Sequence, residues 1–139
     1  MTAIDWERPK NPMEEAENKL TVLCLCADWC GVCRDYRSGY EALAADRPDV
    51  DFHWVDIEDE AEWPDELEVE SFPTVLIQRD DTVLFFGPTL PQHGHLLRTL
   101  DSLKTLGDAE ARRYVADSVE RQSWQKAREF SALLSRRRA

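Results

Sequence analysis

The sequence predicts an α/β domain built on a mixed β-sheet flanked by helices, with an extra helix at the C-terminus. Three observations carry that prediction. The run LTVLCLCA (residues 20–27) is apolar without polar alternation, as expected of a strand buried on both faces of a sheet. Directly after it, Val32, Tyr36, Tyr40 and Leu43 recur at helical spacing as far as Arg47 and Pro48, so a central strand passes straight into a helix. TVLIQ (74–78) and TVLFFG (82–87), parted by the polar Arg79, Asp80 and Asp81, read as an antiparallel hairpin.

The other elements fit around these. Ile4 and Trp6 alternate with Asp5 and Glu7, a weak edge-strand signal. Asn11, Pro12 and Glu14 supply a cap, a first-turn proline and an acid, starting a short helix that ends near Lys19. Val50, Phe52 and Trp54 alternate with Asp51 and His53, a strand whose His53 side faces solvent or is partly covered. Pro64 interrupts the acidic DIEDEAEWPDELEVE (56–70), which holds broken helix only. A helix over residues 92–106 places Leu96, Leu97, Leu100 and Leu103 on one face, and Gly107 is a natural stop. Residues 108–138 read as one further helix with Val115, Val119, Phe130 and Leu134 on one side. The expected divisions are an N-terminal segment (1–19), a core (20–106) and a C-terminal helical extension (107–139). Trp124, Phe130, Leu133 and Leu134 give that extension too much apolar area to leave in water. Docking against its own domain is the preferred reading, and a partner or dimer contact is the other.

A chain of 139 residues is the size of one ordinary domain. Its formal charge of −11 would repel a phosphate backbone, so nucleic acid is not an expected partner. Three arginines at 136–138 read as a solvated helix end. The N-terminus lacks a basic start and an apolar run, and no segment approaches the ~18 apolar residues a span requires. The expectation is a cytoplasmic protein without membrane contact.

All four cysteines fall within LCLCADWCGVCRDY (23–36). In a reducing compartment such a cluster points to metal or redox chemistry rather than to a structural disulfide framework. Cys30 and Cys33 form C-x-x-C at the strand-to-helix junction, placing Cys30 at the helix N-terminus, where free amide hydrogens and the dipole favour a thiolate. Cys33, one turn on, is placed to close a ring with Cys30 and release whatever Cys30 has captured. Asp28 and Asp35 flank the pair as ordinary surface acids that slightly oppose the thiolate.

WCGVC (29–33) after an apolar strand, with Phe72-Pro73-Thr74 opening a hairpin 43 residues beyond Cys30, resembles the thioredoxin family over residues 20–106. The resemblance implies the thioredoxin fold and thiol-disulfide oxidoreductase activity on protein disulfides, with no metal and no cofactor. It implies a thioredoxin reductase-type electron donor. It implies a cis Phe72-Pro73 peptide facing the cysteines, so that the Phe72 backbone can pair with extended substrate. Gly87 matches a glycine that lets substrate backbone approach, and Trp29 matches the exposed tryptophan beside the nucleophile. The substrate-binding set is therefore Trp29, Phe72, Pro73 and Gly87.

The chain also departs from the family. The buried aspartate usual six residues before the first active-site cysteine is Cys24 here, and the lysine that accompanies it falls on Trp54. Val32 stands where the active site usually has proline, and Ser38 where the helix often has one. The proton acceptor for the resolving thiol is missing, which predicts slow resolution. Cys24 and Cys26 lie two apart on a strand and share a face. Read plainly they are small buried hydrophobes; read as auxiliary thiols, one of them exchanges with Cys33 as a relay or protective disulfide. A zinc or iron-sulfur site on the four cysteines is disfavoured because a core strand cannot easily turn Cys24 and Cys26 outward. His93 and His95 read as a polar helix start rather than ligands. The alternative function is a non-catalytic thioredoxin-fold binding or chaperone-like module, suggested by the acidic surface, the departures and the added helix.

Overall fold

A computed structural model describes residues 20–27, 30–57, 69, 72–79, 82–90 and 92–128. The weak first strand, the short helix before Lys19, most of the acidic segment and the end of the extension lie outside these residues, as do Asp28 and Trp29.

Strand β1 (Leu20–Cys26) leads into helix α1 (Gly31–Asp46), followed by β2 (Val50–Asp56), β3 (Thr74–Arg79), β4 (Thr82–Pro88) and α2 (His93–Lys104). The sheet order is β2-β1-β3-β4, with β1 parallel to β2 and antiparallel to β3. The apolar run thus lies inside the sheet, and Val22 to Leu25 are fully buried because helices or extension cover both faces. The β3-β4 hairpin forms as expected, with a register shift at Ile77 and Gln78.

Each sheet face carries its own core. On one, Val22, Cys24 and Ile77 pack with Tyr36 and Tyr40 of α1 and Leu96, Leu100 and Leu103 of α2. Tyr40 fixes α1 to the sheet by donating its hydroxyl to the His53 carbonyl at 2.8 Å. On the other face, Leu23, Leu25, Val55, Leu76 and Val83 pack with Trp124 and Ala127 of the extension.

Three sequence expectations are corrected. His53 is buried at 4 % exposure and its Nε2 lies 3.0 Å from an Asp51 carboxylate oxygen, because both faces of β2 are covered. Gly107 does not stop a helix in a left-handed conformation: α2 ends at Lys104, and Gly107, at φ −76°, is the N-cap of α3 (Asp108–Ala116). Its N–H donates to the Glu110 carboxylate at 3.0 Å. Finally, the extension is not one continuous helix. After α3 the chain turns at Asp117, and Ser118 adopts an extended conformation and caps α4 (Val119–Ser123) by accepting the Arg121 N–H. A 3-10 turn, Trp124–Ala127, follows. The break resets the helical phase, so Val115 is buried while Val119 is 84 % exposed. Phe130, Leu133 and Leu134 lie outside the described residues.

Candidate active site: a cluster of four sulfurs

The site forms where β1 hands the chain to α1. Cys30 is the N-cap of α1, at φ −84° and ψ 116°. Its N–H donates to the Ala27 carbonyl at 3.0 Å and its carbonyl accepts the Arg34 N–H at 3.2 Å, so the backbone is pinned on both sides. The Cys30 side chain makes no capping bond, and the first turn of α1 holds no acidic residue. A half-buried sulfur is therefore left uncommitted at the end of a helix where amide hydrogens converge.

Cys33, one turn along, is only 1 % exposed, as is Cys26 at the end of β1. The structure joins these two sulfurs in a disulfide, with Cα atoms 5.9 Å apart. The sequence reading expects the bond of Cys33 to go to Cys30; here Cys30 is a free thiol instead. Strand alternation turns both Cys24 and Cys26 toward α1, and Cys24 Sγ lies 3.9 Å from Cys26 Sγ. Cys24, Cys26 and Cys33 thus share one core cluster, with Cys30 packed at its margin. Burial pushes the Cys24 thiol up to about 12 and so keeps it protonated.

The Phe72-Pro73 peptide is cis. Cys24 pairs with Val75 and Leu25 with Thr74, so one further step of the register brings Pro73 opposite Cys26. Phe72 packs against the cluster that holds the cysteines. The Pro73 carbonyl accepts the Thr89 N–H at 3.0 Å, which ties the loop before β3 to the end of β4. Gly87 pairs with Val75 on the same stretch. A Cβ at Gly87 would meet nothing closer than the Phe85 ring at 3.5 Å, so internal packing does not require a glycine there.

The register also explains the departures. Cys24 on β1 sits directly beside Trp54 on β2. The positions that in the family hold an aspartate and a lysine are therefore neighbours here and carry a thiol and an indole. A charged pair has been exchanged for an apolar one, and it is the adjacency of the two positions that sequence spacing alone could not reveal. The Trp54 ring is covered by the Arg37 guanidinium, 5.0 Å from its centroid, and by the Tyr40 ring at 5.7 Å.

His93 joins no ligand set. Its ring stacks on Tyr36 with centroids 4.3 Å apart, and its Nε2–H donates to the Tyr36 carbonyl at 3.0 Å. Among the described residues, no three His, Cys, Asp or Glu side chains converge as a metal site. No described helix is long and apolar enough to cross a membrane.

Fold, cis-proline and sulfur cluster together define a protein of thioredoxin type. The thioredoxin family model matches residues 10–88, and the chain belongs to that family. It is 36% identical over 75 residues to thioredoxin H2 of Arabidopsis thaliana, a match covering 53% of this chain and 56% of that one. Among solved structures it resembles Fasciola hepatica thioredoxin, with 28% identity, a TM-score of 0.57 and coverage of 72% of this chain and 92% of the other. A crystal structure of a ferredoxin:thioredoxin reductase and thioredoxin f2 complex matches in fold, with 24% identity, a TM-score of 0.58 and coverage of 66% of this chain and 84% of the other. Family membership and the bonded cysteines assign redox chemistry of the thiol-disulfide kind.

Proposed function

We propose that the chain is a thiol-disulfide oxidoreductase acting on protein disulfides, with Cys30 as nucleophile and Cys33 as resolving thiol. The observation that carries this reading is the free Cys30 sulfur at the N-cap of α1, one turn from a buried Cys33. The Cys30 thiolate attacks one sulfur of a substrate disulfide and expels the other as a thiolate. Cys33, deprotonated, then attacks Cys30 Sγ and expels the first substrate sulfur. The substrate gains two electrons and two protons, and the protein is left with a Cys30–Cys33 bond.

Substrate docking on this reading uses the backbone around cis Pro73 as a strand edge, with Gly87 leaving room for the incoming chain and Trp29, next to the nucleophile in sequence, as a further docking residue. The electron donor is a thioredoxin reductase-type protein. That assignment is supported by family membership and by the fold neighbour solved with such a reductase. A cytoplasmic location belongs to the same proposal.

The test is a disulfide-reduction assay on reduced protein. Cys30→Ser should abolish turnover, and Cys33→Ser should accumulate covalent adducts on Cys30 whose partners can be identified. Full activity in Cys30→Ser would end this reading. A Cys30→Ser protein that keeps all its partners in a pull-down would instead indicate a non-catalytic binding module.

A further inference from the structure

Cys33 has two sulfurs within reach. Cys30 lies one turn back on the same helix, and Cys26 lies beneath it on β1 with a Cα separation of 5.9 Å, inside the span a disulfide requires. The two partners occupy different surroundings. Cys26 is 1 % exposed and Cys30 is at the margin of the cluster, so a bond from Cys33 to Cys26 is shielded while a bond to Cys30 reaches the surface.

Resting on the catalytic reading above, we infer that Cys26 is a second exchange partner of Cys33, moving the disulfide from the surface pair Cys30–Cys33 to the buried pair Cys26–Cys33 and returning Cys30 as a free nucleophile. The step is an internal exchange. Cys26, deprotonated, attacks Cys33 Sγ; the Cys26–Cys33 bond forms, the Cys30–Cys33 bond breaks, and Cys30 leaves as a thiolate that takes up the proton Cys26 gave up. No electrons enter or leave the protein. The pairing in the structure is the product of this step, and Cys30 is the free thiol it predicts. Cys24 is 3.9 Å from Cys26 but is not the sulfur joined to Cys33, so it serves as a neighbour rather than as the attacking sulfur.

The consequence concerns what Cys30 does next. With Cys33 already bonded to Cys26, a second substrate disulfide attacked by Cys30 meets no resolving thiol, and the mixed disulfide persists. Oxidised protein would thus remain able to capture a protein disulfide covalently, and the captured partner would be released when an external thiolate attacks the mixed disulfide, taking over one of its sulfurs and expelling the other as a thiolate.

The four cysteines can be sorted by peptide mapping. Cleavage after Lys19 and Arg34 and before Asp28 yields LTVLCLCA and DWCGVCR, one with Cys24 and Cys26, the other with Cys30 and Cys33. Reduced wild-type protein is treated with one equivalent of diamide, and free thiols are blocked with N-ethylmaleimide at mildly acidic pH before digestion. A cross-link between the two peptides, placed by fragmentation at Cys26 and Cys33 and accompanied by maleimide on Cys30, is the expected result. A bond only within DWCGVCR overturns the inference and leaves Cys30 and Cys33 as a catalytic pair. No bond at all overturns both. In Cys26→Ala, oxidation should cut maleimide labelling of Cys30 at least tenfold relative to oxidised wild type, and unchanged labelling would also overturn the inference. The wild-type map stands alone should that variant fold poorly.

Discussion

The side-chain amide of Gln125 takes the place of a strand partner for Val83: its Oε1 accepts the Val83 N–H at 2.8 Å and its Nε2 donates to the Val83 carbonyl at 2.8 Å. The same Nε2 donates to the Arg121 carbonyl at 3.0 Å, so one residue joins the 3-10 turn to β4 and to the preceding α4. The extension therefore docks on its own domain through Gln125 and through Trp124, whose ring lies 5.9 Å from that of Phe85.

Gln125→Ala should lower stability by about 1–3 kcal/mol, because two backbone groups at a part-buried edge lose their partners. Gln125→Glu should lose a similar amount, since a carboxylate cannot donate to the Val83 carbonyl. Urea unfolding of both variants checks this; wild-type midpoints would show that the contact does not hold the extension.

At Gly39 a Cβ would overlap the His93 ring, which its stack on Tyr36 and its bond to the Tyr36 carbonyl keep from moving aside. Gly39→Ala should therefore cost about 1–3 kcal/mol despite alanine's better helix propensity. The double variant Gly39→Ala with His93→Ala should recover part of the loss. A thermal scan in which the single variant gains stability would contradict this packing.

The Arg47 guanidinium, bonded to Asp49 through Nε and Nη2 at 3.1 Å each, holds the Asp49 carboxyl well below the usual carboxylate range, and Lys104 adds to the effect. A depressed folded-state value stabilises the fold above the ordinary carboxylate pKa near ~4, and that contribution is lost as pH falls toward the folded-state value. The groups are partly exposed and solvent screens them, so the contribution should stay under ~1 kcal/mol. Asp49→Asn should be less stable than wild type at pH 7, with the gap narrowing below pH ~4. A gap that widens in acid would refute the sign.

Replacing Cys24 by Asp puts a carboxylate back among the sulfurs of Cys26 and Cys33. Disulfide turnover should rise, by as much as ~100-fold if proton transfer to and from the resolving thiol limits the rate. Stability should fall by several kcal/mol, because Cys24 is fully buried and its neighbour Trp54 offers no charge in place of the family's lysine. Turnover unchanged in a folded variant would show that the missing base does not limit the reaction.

Gly87→Ala should leave urea stability within about 0.5 kcal/mol, since the added methyl meets only ordinary contact with Phe85. Substrate KM in a protein-disulfide assay should nevertheless rise several-fold, with kcat on a small disulfide reagent little changed. Unaltered KM would place the substrate backbone elsewhere.

Much of this architecture was legible in the chain. The apolar run at 20–27 announces an interior strand, the spacing of Tyr36, Tyr40 and Leu43 announces the helix on it, and the resemblance to the thioredoxin family implies the cis peptide at Phe72-Pro73. What was hidden depends on contacts between elements. Alternation on β2 cannot report that His53 is covered from the far side, nor can helical periodicity foresee a break whose cause is the Ser118 cap, although Asp117 and Ser118 are residues that favour such a site. The adjacency of Cys24 and Trp54, and the choice of Cys26 over Cys30 as partner for Cys33, are matters of register and of how a helix is seated on its sheet.

By occupying Val83, Gln125 masks part of the outer margin of β4, an edge strand among the described residues, where the Val83 amide and carbonyl would otherwise stand open beside apolar side chains. Such a margin is a template for other chains. The C-terminal segment thus acts as a guard against fibril-like stacking, and cells making a shortened chain would be expected to lose it to insoluble deposits even where the cysteine chemistry remained intact.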